Sequence, residues 1–220
     1  IDIKKLSEKG FFIFNNFFSK IEIEQLYNSS HFLLKKFENN ENLIDQNLKI
    51  ATGNETVQEL DNSEYVVLAD RRKNKIDNGM IDIFNPQKVN SKESDIFNLF
   101  RKKIKSEFIP ILEKNYLKKF TLEATNIYQH YKTTNPRKAH YDNEDNYFKL
   151  FLFLSDVKDN AGSFFFYKFS HNQKLRKKLM NRINKFFFKN NKLEDKNFIF
   201  NDKFKINLTG NIGTTVITDV

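Results

Sequence analysis

From Thr121 onward the chain falls into short apolar runs, "TLEATNIYQHY", "YFKLFLFLSDV", "GSFFFYKF", "NFIF", "KFKINL" and "TTVITDV", each bounded by Asn, Asp or Gly. Runs of strand length separated by turn formers predict an antiparallel sandwich or barrel in the second half. One segment breaks the pattern. In "NQKLRKKLMNRINKFFFKN", residues 172–190, Leu175, Leu179, Ile183 and Phe186 share one helical face, with Lys and Arg on the other and no acid. It reads either as a docking surface for an anionic partner or as the solvated face of an amphipathic helix in a lysine-rich chain, and the second is favoured.

The first half is mixed. "GFFIFNNFF" (Gly10 to Phe18) reads as a short apolar strand or staple, and "SKIE" supplies a capping box with Ser19 at the N-cap and Glu22 three residues on. The spacing then predicts a helix to about Glu38 whose stripe is Ile23, Leu26, Tyr27, Leu33, Leu34 and Phe37. "EYVVLA" and "MIDIF", separated by the turn-prone "RRKNKIDNG", predict a hairpin. A second helix from Ser91 carries Ile96, Phe100, Ile104, Phe108 and Ile111, with Pro110 expected to kink or end it.

At 220 residues the chain fits one domain with a substantial core, in which 25 Phe and no Trp carry the bulk. It opens at Ile1 without Met and stops within a strand pattern, so both ends read as incomplete. The absence of cysteine excludes disulfides, thiolate metal sites and cysteine nucleophiles. Any metal must therefore be held by His and carboxylate. No apolar run approaches the roughly 20 residues of a membrane helix, so no membrane partner and a cytoplasmic location are expected. The net charge of +9 draws anionic partners without identifying one. No phosphate-binding loop, nucleophile elbow or zinc-protease helix is present, since "GNIG" lacks the Lys-Ser/Thr that would complete a phosphate loop.

Between the polar "KTTNPRK" and the apolar "YFKLFLFLSDV" lies "AHYDNED", residues 139–145. In an extended chain alternate residues share a face, so His140 and Asp142 project together. With a second histidine from elsewhere such a pair forms the facial triad that holds non-haem Fe(II) and leaves coordination positions open. On spacing alone, a surface turn with a solvated Asp142 is the favoured reading.

The surrounding motifs resemble those of the phytanoyl-CoA dioxygenase-type Fe(II)/2-oxoglutarate oxygenases. "GFFIFNNFFSKIEIEQLYN" is similar to the family's opening. "IYQHYKTTNPRKAHYDNED" resembles the strand and loop that deliver its His-x-Asp, "KLFLFLSDVKDNAGSFFFYKFSH" resembles the pattern that follows, and "GNIGTTVITDV" the strand before its second metal histidine. The resemblance is densest from Thr125 to His171, and its specificity lies in the order of the motifs.

It implies an α+β chain, residues 1–220, forming a single domain built on a double-stranded β-helix (jelly-roll, cupin-like) core flanked by N-terminal helices. It implies His140 and Asp142 as iron ligands, with 2-oxoglutarate as cosubstrate and oxidative decarboxylation to succinate and CO2 coupled to hydroxylation of a small organic substrate, anionic or neutral. Gln129 and Tyr131 are candidate cosubstrate contacts or ordinary barrel lining. Lys149 is a candidate partner for the cosubstrate carboxylate, set against an edge position with its ammonium in solvent. The family's second metal histidine and its basic cosubstrate residue would both fall past Val220. His171 matches a structural position, His130 lies on the strand before the motif, and His31 lies on the N-terminal helix. Nucleic acid is not an expected partner in this reading. The rival is a non-catalytic jelly roll that has lost iron and binds a polyanion through residues 172–190.

Overall fold

The computed structural model describes residues 3–38, 66–70, 80–130, 147–159, 163–167, 203 and 205–219. Tyr131, His140, Asp142, His171, the run "NFIF" and the basic segment 172–190 lie outside the described residues. In chain order the elements are α1 (Ile3–Lys9), β1 (Phe11–Phe14), α2 (Lys20–Glu38), β2 (Val66–Asp70), β3 (Met80–Phe84), α3 (Asp95–Lys103), α4 (Ile109–Tyr116), β4 (Asn126–His130), β5 (Phe148–Leu152), β6 (Phe164–Tyr167), β7 (Lys205–Leu208) and β8 (Thr215–Asp219). Helices and antiparallel strands are thus mixed, an α+β chain, and the contacts group into two compact units.

The first unit joins Ile1–Ser19 to Lys138–Val220. Its main sheet has the order β1-β8-β5, all antiparallel. The register sets Phe11 and Lys149 on either side of Thr218, and Ile13 and Phe151 on either side of Val216. Cross-strand partners share a face, as do alternate residues, so these six form one surface. That surface packs on the ribbon of β6 and β7, where Phe166, Leu208 and Val216 form a buried cluster joined by Phe11, Phe151, Phe164 and Ile206. The Phe11 and Phe166 rings meet with centroids 5.8 Å apart. All five residues of β8 are buried, which means its opposite face is covered too; α1 packs on β1 and β8. Gly10 ends α1 with φ 80°, its N–H donating to Leu6 O at 2.8 Å. A left-handed residue at this position favours glycine and turns the chain directly into β1.

The second unit, Lys20–Arg137, carries the sheet β2-β3-β4. The expected hairpin is present, with Val66 opposite Phe84 and Asp70 opposite Met80. β4, which the sequence groups with the strands of the second half, instead pairs with β3, Ile127 opposite Ile83 and Gln129 opposite Ile81. Local pattern identifies a strand but not its partner, which is decided by long-range packing.

The helices pack below expectation at some positions and above it at others. In α2, Leu26, Leu33 and Leu34 are buried as the spacing predicts, but Tyr27 is 42% exposed. Ser29 and Ser30 complete the buried face in its place, while Tyr27 stacks on exposed His31 with centroids 5.9 Å apart. The predicted helix from Ser91 does not end at Pro110. A π turn over Ile104–Phe108 intervenes, in which Ile109 N–H donates to Ile104 O, and Pro110 becomes the second residue of α4. The proline ring lacks an N–H and crowds the preceding turn, so a widened turn just before it lets the helix continue. The buried stripe is Phe97, Ile104, Phe108 and Leu112, one residue out of phase with the expected Ile96 at its start. Lys103 Nζ donates to both Glu22 oxygens at 2.8 Å, tying α3 to α2.

Candidate cosubstrate and metal site

Of the five residues singled out by sequence, Gln129 and Lys149 are described, and they fall in different units. Tyr131, His140 and Asp142 lie outside the described residues. Among the described residues no group of three or more His, Asp or Glu side chains is arranged to hold a metal ion.

Gln129 sits on β4 on the same face as Ile127 and, across the pair, Ile81 and Ile83. Ile83 is fully buried and Ile127 nearly so, so the glutamine lies at the polar end of an apolar face. The other face of the sheet carries Asp82, Asn126, Tyr128 and His130, with Tyr128 52% exposed. Asp82 is nevertheless buried, and Asn126 Nδ2 donates to its Oδ2 at 3.5 Å. The entry to β4 is held from α3: Arg101 Nη1 donates to Thr125 Oγ1 at 2.7 Å, and Asn85 N–H donates to Thr125 O at 2.8 Å. Burial of the guanidinium lowers its pKa from the usual arginine value, and the group remains a cation.

Lys149 belongs to β5, an outer strand of its sheet among the described residues. The side chain is half-buried, however, on the surface that packs against β6 and β7. Its cross-strand partner Thr218 is fully buried, and the Thr218 hydroxyl has no hydrogen-bond partner among the described residues. A second buried hydroxyl of this kind, Thr215, points to the opposite face of β8. Beside Lys149 and Thr218 lie Phe11, Phe151 and Val216.

Two motif segments meet just beyond these strands. Val157 and Gly210 exchange backbone hydrogen bonds at 2.8 and 3.1 Å, Phe153 N–H donates to Thr214 O at 2.9 Å, and Gly213 N–H donates to Phe153 O at 2.7 Å. Asp156 Oδ1 accepts from Ile212 N–H at 2.9 Å. "FLSDV" and "TGNIGT" are thereby locked as one double turn that sets where β5 ends and β8 begins. Both glycines are required there. A Cβ on Gly210 would lie 2.6 Å from Thr214 Oγ1 and 2.8 Å from Thr214 Cβ, and Gly213 has φ 88°. A cleft of about 340 Å³ beside this turn is lined by Asp156, Asp159, Thr209, Gly210 and Asn211.

The buried, unpartnered hydroxyl of Thr218 was not legible in the sequence. A threonine in "TTVITDV" reads as an ordinary β-branched strand residue, and only the register that sets it opposite Lys149 marks it out. Comparisons of the chain with protein-family models, with curated proteins and with solved structures find no match.

Proposed function

We propose that the chain is a non-haem Fe(II)- and 2-oxoglutarate-dependent hydroxylase of the phytanoyl-CoA dioxygenase type, built on a double-stranded β-helix core. The observation that carries the reading is the antiparallel sandwich of β1-β8-β5 on β6-β7, with "FLSDV" and "TGNIGT" docked by backbone hydrogen bonds at its end. These are the segments whose order makes the resemblance specific, and a jelly roll requires them to be neighbours.

In this reading His140 and Asp142 hold iron and Lys149 pairs with the distal carboxylate of 2-oxoglutarate. Bound iron and 2-oxoglutarate supply the oxidising power, one atom of O2 ending in the substrate hydroxyl and the other in succinate as CO2 leaves. The chain's own part is to orient the reactants and exclude water. The apolar surface of Phe11, Phe151 and Val216 keeps the cosubstrate end of the site dry, which strengthens the pairing of its carboxylate with the Lys149 ammonium. A small organic substrate is expected. The rival reading, a polyanion-binding jelly roll, rests on residues 172–190 and gains nothing from the described residues.

The test is release of succinate from 2-oxoglutarate in the presence of Fe(II) and O2, followed by NMR. The wild type should turn over slowly even without its substrate, and His140→Ala or Asp142→Ala should lower the rate by about 100-fold. Turnover unchanged in both variants would overturn the assignment of these ligands.

A further inference from the structure

We propose that the outward face of the β6–β7 ribbon is a stacking platform for single-stranded nucleic acid, a function separate from the iron chemistry proposed above. Phe164 and Phe166 of β6, with Ile206 and Leu208 of β7, turn toward the buried cluster. Alternation then sets Phe165, Tyr167, Lys205 and Asn207 on the other face, Phe165 opposite Asn207 and Tyr167 opposite Lys205. An antiparallel ribbon that buries one face is expected to carry polar residues on the other, yet β6 reads "FFFY" and is aromatic on both.

The geometry of that face suits a base beside a phosphate. The Tyr167 ring meets Phe165 edge-on, at 90° with centroids 6.0 Å apart, which braces Phe165 in one orientation. The Lys205 ammonium lies 4.5 Å from the centroid of the Phe165 ring. Phe165 is half-buried while Lys205 and Asn207 are exposed, so the group over the ring is a long, solvated side chain that is free to swing away. A cation over an exposed ring is held weakly, and a base stacked on the same ring is the stronger contact. When a strand docks, Lys205 exchanges the ring for a phosphate and the base takes its place. Asn207, directly opposite Phe165, offers an amide donor and acceptor to the base edge or the sugar. The net charge of +9 complements the phosphates. A duplex hides its base faces within the stack, so the platform takes a single strand. Recognition through a ring, rather than through charge alone, distinguishes this face from a polyanion surface.

The experiment measures binding of the full chain, without added metal, to a fluorescent oligothymidylate of about twelve nucleotides and to an abasic strand of equal length, which carries the same phosphates and no bases. We expect the wild type to bind the thymidylate about tenfold more tightly than the abasic strand. Phe165→Leu keeps the apolar bulk and should abolish that preference, whereas Phe165→Tyr keeps a ring and should retain it. Lys205→Gln should weaken binding of both strands and lower the salt slope by about one charge. Equal affinities for the two strands in the wild type overturn the platform without recourse to any variant, and a preference that survives Phe165→Leu overturns it as well. Either result leaves the iron site untouched, because no metal takes part in the measurement.

Discussion

The sheet around β8 and the sheet around β3 have the same number of described strands, yet they solve burial differently. In β8 every residue from Thr215 to Asp219 is buried, so neither face meets solvent. In β4 the burial alternates: Ile127 is buried while Asn126, Tyr128 and His130 are exposed. A strand covered on both sides has no solvent-facing positions to spare for polar groups, and each polar group it does contain requires a partner or a purpose. That is why two threonine hydroxyls in β8 carry more information than the polar residues of β4.

Substitutions at adjacent positions test the contrast most severely. Val216→Asn and Ile217→Asn point to opposite faces of β8, and both should destabilise the fold by about 3 kcal/mol or more, because each strands an amide in an apolar layer. In β4, Ile127→Asn should be comparably severe, while Tyr128→Asn should stay within about 0.5 kcal/mol. Urea denaturation reads all four, and a tolerant Val216 or Ile217 would break the comparison.

Smaller effects sharpen it. Gly210→Ala forces a methyl into the Thr214 side chain and should cost about 1–3 kcal/mol. Lys103→Met removes a partly exposed ion pair with Glu22 and should cost about 1 kcal/mol or less, falling further in high salt.

The smallest effect is a pH dependence in the second unit. Glu113 accepts the Phe120 N–H at 3.1 Å, and this hydrogen bond, reinforced by Lys119, holds its carboxyl below the usual carboxylate range. A group with a lowered folded-state pKa contributes stability above its unfolded value, about 4.3, and loses it as pH falls through the folded value. Glu113→Gln should therefore lower the urea midpoint slightly at pH 7 and leave it indistinguishable from wild type at the acid end. An equal difference at both pH values would remove the charge from the explanation.

Much of this contrast could be read from the chain, and the limits have physical causes. The hairpin of β2 and β3, the strand β1, the helix beginning after Ser19 and the short strands β5 to β8 follow from periodicity and turn residues. The partner of β4 did not, because "NIYQH" is compatible with either sheet and packing chooses between them. The helix runs on through Pro110 because a π turn precedes the proline, and no local signal announces such a turn. For the site, His140 and Asp142 stand on the motif and its neighbours. Lys149 stands on its place at the head of an apolar strand, whereas the buried Thr218 hydroxyl opposite it needed the register between strands far apart in sequence.

The central claim is an iron and 2-oxoglutarate site supported by His140. Anaerobic titration of the chain with Fe(II) and 2-oxoglutarate, read as the weak visible charge-transfer band, tests it most directly. The band should appear in the wild type and vanish in His140→Ala. A folded wild-type protein that gives no band, or a variant that gives the same band, would contradict it.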